Sequence, residues 1–286
     1  LGLICLYQKE YKKAVEYFDK IKGNKNLEKS SKVYYNLGIC HERLKNNAEA
    51  LESYTESMKR NPNYAAVRND YGSFLFAQNK LEEAQFQFKE AITIDSTYVN
   101  AAVNLAKTYY IQQRFDEAAN VLTVFLAKRP KEAIIYDQLG LVYYGRKEYE
   151  KAKTAFDLAI EYEPTLASAH YNLGVLYDEI KKYDSAISEY KLALLFDKQH
   201  ILAMNNLGYL YLNLRKFSDA IDILKKAISI NAEFSWAHYN LALAYYNGGK
   251  RNDALMHLEK VIELEDADSA LREAAEKAVS SIKGQK

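Results

Sequence analysis

Proline and glycine are scarce in this chain: three and eleven in 286 residues. Many-stranded sandwiches, barrels and collagen-like arrays need more turn residues than this, so long helices are the expectation. Cysteine is scarcer still. Cys5 and Cys40 are too few for a disulfide framework and show no CxxC or His-adjacent metal-ligand spacing, so both read as small buried side chains. No apolar run approaches the roughly 18 residues that a membrane span requires. Net charge is nearly absent too. Thirty-nine Lys plus Arg against 38 Asp plus Glu leave +1, which supplies no field to gather a polyanion and speaks against nucleic acid as a partner. What is plentiful is apolar surface, 49% of residues with 13% aromatic, enough for a sizeable core and too much for a disordered chain. The length suits one large domain or two ordinary ones.

A fixed period replaces the missing punctuation. Gly38, Gly72, Ala106, Gly140, Gly174, Gly208 and Ala242 follow one another at 34 residues. Twelve residues after each comes an alanine: Ala50, Ala84, Ala118, Ala152, Ala186, Ala220 and Ala254. Gly2 and Ala14 repeat the pair 36 residues upstream, which places two extra residues in the first connection, at Gly23-Asn24-Lys25-Asn26. Pro62, Pro130 and Pro164 share one phase, where a helix must end. Numbering columns from residues 31, 65, 99, 133, 167, 201 and 235, columns four, seven, eight and eleven form an apolar stripe on a first helix, A. In the unit at Ala167 that stripe is His170, Leu173, Gly174 and Tyr177, and a second helix, B, carries Ala186, Tyr190 and Ala193. Small residues let the two backbones approach, and stacked pairs bury a core that no single pair could.

At Asn172-Leu173-Gly174 with Tyr177, Ala186, Tyr190 and Ala193 the chain resembles the tetratricopeptide repeat (TPR) family. The resemblance covers nearly the whole length. It implies an all-α fold, a right-handed superhelical solenoid of antiparallel helix pairs with helix A lining a concave channel. About eight repeats are expected: a truncated first one at 1–30, complete ones at 31–64, 65–98, 99–132, 133–166, 167–200, 201–234 and 235–268, and a closing helix with its tail at 269–286. The closing helix breaks the pattern, with Leu271, Ala274, Ala275, Ala278, Val279 and Ile282 on one side and charges on the other. Leu1-Gly2 falls in the middle of a helix A, so the sequence reads as a fragment with an apolar end able to stack on another molecule.

Columns two, five, six, nine, twelve and thirteen form a second stripe on helix A, expected to face the channel. Column six reads Asn36, Asp70, Asn104, Gln138, Asn172, Asn206 and Asn240. A primary amide both donates and accepts, so it can pair with either half of a peptide unit. The column resembles the asparagine ladder in the repeat domain of O-linked N-acetylglucosamine transferases, which implies a grip on extended peptide backbone; Asp70 and Gln138 depart from it. Bonds from these amides to neighbouring helices are the alternative. Tyr35, Tyr110, Tyr144, Tyr171, Tyr209, Tyr239, Tyr246 and the sole tryptophan, Trp236, surround the ladder as candidate anchors, with inter-repeat packing as the competing role. The closing helix could cover Trp236. By contrast Tyr109, Tyr143, Tyr177, Tyr211 and Tyr245, in column eleven, read as core.

Charges in the second stripe are mixed, Lys32, Arg43 and Lys107 against Glu42, Asp70, Asp137, Asp178 and Glu179, which favours a basic or neutral peptide segment over an acidic tail. The carboxylate clamp of the family's chaperone-tail binders is missing: columns five and nine read Tyr35 and Ile39, Asn69 and Ser73, Val103 and Lys107. Catalytic and metal signals are weak. Gly248-Gly249-Lys250 lacks the remaining residues of a phosphate loop and fits an inter-helix turn, and His41-Glu42 has no second histidine at helical spacing. His170 and His238 share a column two repeats apart, too far to share an ion. The reading is a non-catalytic scaffold that needs no cofactor and captures an extended segment in its channel. A self-associating assembly module and the substrate-recruiting arm of a larger enzyme, such as a glycosyltransferase, stay open beside it; a helical-repeat RNA reader fits poorly. The cysteines and the lack of glycosylation sequons are compatible with cytoplasm.

Overall fold

The computed structural model describes residues 1–23, 26–264 and 267–284. Its described residues form seventeen α-helices and no strand, divided between two compact units, Leu1–Arg146 and Lys147–Lys286. The first unit holds α1 (Gly2–Tyr7), α2 (Tyr11–Asp19), α3 (Leu27–Arg43), α4 (Asn47–Arg60), α5 (Ala65–Ala77), α6 (Leu81–Ile94), α7 (Val99–Ile111), α8 (Phe115–Lys128) and α9 (Ala133–Gly145). The second holds α10 (Tyr149–Tyr162), α11 (Ala167–Glu179), α12 (Tyr183–Phe196), α13 (Ile201–Asn213), α14 (Phe217–Ile230), α15 (Ser235–Asn247), α16 (Arg251–Glu263) and α17 (Ser269–Gly284). Odd-numbered helices are the A helices and even-numbered ones the B helices. The extra residues Asn24 and Lys25 lie outside the described residues. So does the end of the tail, Gln285-Lys286. Just before α3, Asn26 accepts a hydrogen bond from the Lys29 amide at 2.9 Å, so this helix starts four residues ahead of column one.

The turn from A to B explains how the chain manages without glycine. Lys9, Lys45, Asn79, Gln113, Lys147, Lys181 and Arg215 all adopt φ between 58° and 62°, one per repeat in column fifteen, with Gly249 (φ 78°) the sole glycine among them. A left-handed lysine costs about 1 kcal/mol, so backbone bonds must hold it there. After α11 the Lys182 amide donates to the Tyr177 carbonyl at 2.8 Å and the Lys181 amide to that of Asp178 at 2.9 Å, the paired bonds of a Schellman cap. Gly248-Gly249-Lys250 is the same turn after α15. At the other end of B, side-chain oxygens of Asn61, Asp95, Asp197 and Asn231 accept from the amide two residues on, the turn that Pro62, Pro130 and Pro164 stiffen in their own repeats.

Close approach in several pairs sets a small column-eight residue against the column-twenty-four side chain; at Gly208 that side chain is Leu224, 2.5 Å from where a methyl would lie. A methyl placed on Gly38 would lie 2.7 Å from the Tyr54 ring, on Gly72 2.7 Å from Phe88, and on Gly174 2.8 Å from Tyr190. Tyr54, Phe88 and Tyr190 are fully buried. Where column eight is alanine, at Ala106 and Ala242, column twenty-four is the smaller Leu122 or Leu258.

Helix A is buried more widely than its sequence stripe suggests. Column three (Val33, Val67, Ala101, Ile135, Ala169, Ala203, Ala237) and column ten (Cys40, Phe74, Thr108, Val142, Leu176, Leu210, Ala244) are buried throughout, a second apolar face packed on neighbouring repeats. This face gives the closing helix its place. α17 lies on α16 in continuing register, with Ser269 at column one and the buried Leu271 and Ala275 at columns three and seven, so it is a further helix A and not a break in the pattern. Its column-eight residue is Glu276, which is exposed and too large for a B helix to pack on.

Candidate functional site

Columns two, five, six, nine, twelve and thirteen of helix A make up the candidate surface. Among the amides, the structure favours the inter-helix alternative for several positions assigned to a ligand. In the first unit Asn104 Nδ2 donates to Asn69 Oδ1 at 2.9 Å and to Ser73 Oγ at 3.3 Å, both on the preceding A helix. In the second, Asn240 Nδ2 donates to Asn205 Oδ1 at 2.9 Å, Asn205 Nδ2 to Asn206 Oδ1 at 3.3 Å, and Asn206 Nδ2 to Tyr171 Oη at 3.3 Å. Asn36 donates to the Lys32 carbonyl of its own helix, and Gln138 Nε2 donates to Asp137 Oδ2 at 3.2 Å. Gln138, Asn172 and Asn240 are below 10% exposed. Helical geometry puts column six beside the buried columns three and ten, so these amides turn towards the neighbouring A helix. Column five, not column six alone, completes the ladder: Asn69 and Asn205 are partners that sequence reasoning overlooked, although each stands next to a column-six residue in the chain.

A structural ladder has a measurable cost when broken. Asn240→Ala leaves Asn205 Oδ1 without this donor, and the expected loss is about 1–2 kcal/mol of unfolding free energy. Urea denaturation followed by circular dichroism reads it; an unchanged midpoint would count against the bond.

The aromatics divide more cleanly. Trp236 and Tyr209 are each 46% exposed and Tyr246 is 37% exposed, so the closing helix leaves Trp236 uncovered. Tyr239 meets Trp236 edge to face at 6.4 Å, and Leu202, one repeat before Trp236 in column two, is 49% exposed. Tyr171 is half-buried and lies on the His200 ring at 4.7 Å; Tyr110 and Tyr144 are half-buried, Tyr110 against Phe115 at 5.5 Å. In column eleven Tyr109, Tyr211 and Tyr245 are buried while Tyr143 and Tyr177 are half-buried against the core. Arg114 covers the Tyr109 ring at 4.5 Å.

Around Asp70 the ladder changes character. Tyr35 Oη donates to Asp70 Oδ2 at 2.6 Å and Asn69 Nδ2 to Oδ1 at 2.9 Å. Tyr64, in column thirty-four, stands edge-on to Tyr35 at 5.3 Å. In the second unit Asp178 is half-buried, and burial followed by the Glu179 charge raises its carboxyl above the usual range.

Histidines serve the packing of A on B. His170 Nδ1 lies 2.7 Å from Glu189 Oε2 and Nε2 3.0 Å from the Pro164 carbonyl. In the same column His238 Nε2 donates to the Ala232 carbonyl at 3.1 Å, since a carbonyl only accepts, and Nδ1 lies 2.9 Å from His257 Nδ1. Among the described residues no three His, Cys, Asp or Glu side chains are grouped to hold a metal ion, and no helix is long and apolar enough to cross a membrane.

Comparison with known proteins agrees with the fold. The heat shock protein STI1 of Saccharomyces cerevisiae is 29% identical over 116 residues, 39% of this chain and 19% of that protein. Yeast Tom70 superposes with a TM-score of 0.75 at 18% identity, over 96% of this chain and 59% of that one. In the APC/C hetero-tetramer Cut9–Hcn1 the matching chain gives a TM-score of 0.69 at 18% identity, over 97% of this chain and 54% of that one. This chain therefore spans about a fifth of the curated relatives it matches and little more than half of these two solved chains. Tetratricopeptide repeat models match residues 31–64, 75–139, 167–200, 201–234 and 236–269, and a TPR repeat model matches 140–181. A 34-residue register that survives from sequence to helix pair to family model has one reading, and the chain belongs to the tetratricopeptide repeat family.

Proposed function

We propose that the chain is a non-catalytic scaffold whose helix-A surfaces bind an extended protein segment. The exposure of Trp236, Tyr209 and Tyr246 on one such surface carries the reading. Large aromatic side chains left in water lose apolar hydration on binding and few rotamers, which is why such residues anchor interfaces. Beside them the amides of column six act in two ways. Asn104, Asn206 and Asn240 hold successive A helices in register, and the half-buried ones, Asn36, Asn104 and Asn206, keep edges towards water where a peptide backbone can pair. His170, His238 and His257, of the residue type most suited to proton transfer at neutral pH, are engaged in helix packing, which supports binding over chemistry. The Cut9–Hcn1 hetero-tetramer is an example of a protein of this fold assembled with another.

The test is selection of peptides from a randomised display library on the whole chain and on a Trp236→Ala, Tyr209→Ala variant. Enrichment of a common extended motif by the native chain, at least tenfold reduced for the variant, is expected, since hot-spot aromatics cost roughly 2 kcal/mol or more when truncated. Equal enrichment by both, or none by either, would remove the proposal.

A further inference from the structure

Asp70 is the acidic exception in a column of amides, and its surroundings say what it would receive. Each carboxylate oxygen already accepts one hydrogen bond, Oδ2 from Tyr35 and Oδ1 from Asn69, which leaves an unused lone pair on both. No lysine, arginine or histidine pairs with it among the described residues. Lys32, whose charge acts on the Tyr64 hydroxyl, is held by Glu28 at 2.9 Å. Three half-buried tyrosines feel the charge: Tyr35 in direct contact, Tyr64 edge-on to Tyr35, and Tyr98 in the same column as Tyr64. Burial foremost raises the hydroxyl pKa of each; at Tyr64 the Lys32 charge opposes the rise, and the Asp70 charge adds to it at all three. The hydrogen bonds of Asn69 fix the carboxylate, because the same side chain also accepts from Asn104 Nδ2.

We propose that Asp70 with Tyr35, Tyr64 and Tyr98 forms a subsite for an arginine side chain of the bound segment. Two free lone pairs on a fixed carboxylate match the forked donors of a guanidinium, and tyrosine faces accept its flat cation. An ammonium, a single point of charge, would use this arrangement less fully. The proposal rests on the reading of helix-A surfaces as peptide-binding, and it assigns arginine to one position of a segment bound on the first unit.

The probe is N-acetyl-arginine methylamide, titrated into the whole isotope-labelled chain beside its citrulline isostere, which keeps the shape and lacks the charge. Saturable shifts of the Asn69 and Asn104 side-chain amides and the Asp70 backbone amide are expected with arginine and not with citrulline. Asp70→Asn keeps the volume and should weaken arginine binding roughly tenfold or more, with the remaining resonances in place to show that the fold is intact. Equal shifts with citrulline, or full affinity in Asp70→Asn, would overturn the subsite. The peptide selection separates the two ideas. Motifs selected through Trp236 and Tyr209 while arginine fails at Asp70 remove the subsite and leave the scaffold reading. Arginine binding at Asp70 with no motif selected keeps the subsite and removes that reading.

Discussion

Gly174→Ala is expected to lower the stability of the second unit by about 2 kcal/mol, although alanine is the better helix former. Its methyl would lie 2.8 Å from two carbons of the Tyr190 ring, and that ring is fully buried with no solvent side to retreat to. The sequence supplies the remedy, because repeats with alanine in column eight carry leucine in column twenty-four. Tyr190→Leu alone should cost about 1–2 kcal/mol through the space it leaves. Combined with Gly174→Ala it should cost at least about 1 kcal/mol less than the two added together, a coupling expected only of residues in contact. Hydrogen exchange of the α11 and α12 amides, with urea unfolding, completes the cycle. Strict additivity would mean that the glycine column is not set by the ring.

Acid should weaken the second unit through His257. Burial is the larger cause and the adjacent His238 the next, and together they push its pKa from 6.5 down to about 4; Asp253 opposes and Lys225 adds to the shift. The His257 ring also stacks on Tyr245 at 5.7 Å. A histidine whose folded pKa is depressed takes up its proton more readily unfolded. Stability is therefore full above about pH 6.5 and falls as pH drops towards 4, by roughly 2–3 kcal/mol. His257→Asn keeps a donor for His238 Nδ1 and removes the titration. The difference between native and variant unfolding free energies, in which the carboxylates cancel, should change over that window and be flat above pH 7. Parallel curves from pH 7 to pH 4 would dismiss the shift.

Both effects grow from the repeat, yet the repeat did not disclose them equally. The glycine and alanine columns are visible because the same steric demand recurs every 34 residues, and recurrence is what sequence reading detects. Columns three and ten recur just as faithfully, but their alanines, valines and leucines resemble ordinary helix filling. Overlooking them made α17 look irregular, when Leu271 and Ala275 place it in register as a further helix A. The left-handed column fifteen was hidden for another reason. Lysine, asparagine, glutamine and arginine occupy it, and only the two backbone bonds of the cap reveal that the position is fixed.

By itself the sequence determined the period, the helix pairs and the family, because each follows from local constraints repeated in register: small residues where backbones meet, proline where B ends, apolar stripes at helical spacing. It also named many residues of the candidate surface, though not Asn205, Leu202, Tyr64 or Tyr98. Which of them face water was decided by tertiary structure alone. Trp236 and Asn240 both stand on the same helix, four residues apart, yet one is 46% exposed and the other 5%. The difference arises because the neighbouring A helix covers one side of α15, and a donor covered there must find its acceptor on that neighbour, as Asn240 finds Asn205. The gathering of Tyr35, Tyr64 and Asn69 around Asp70 is likewise a product of stacking, since it joins side chains from successive repeats that no single period brings together.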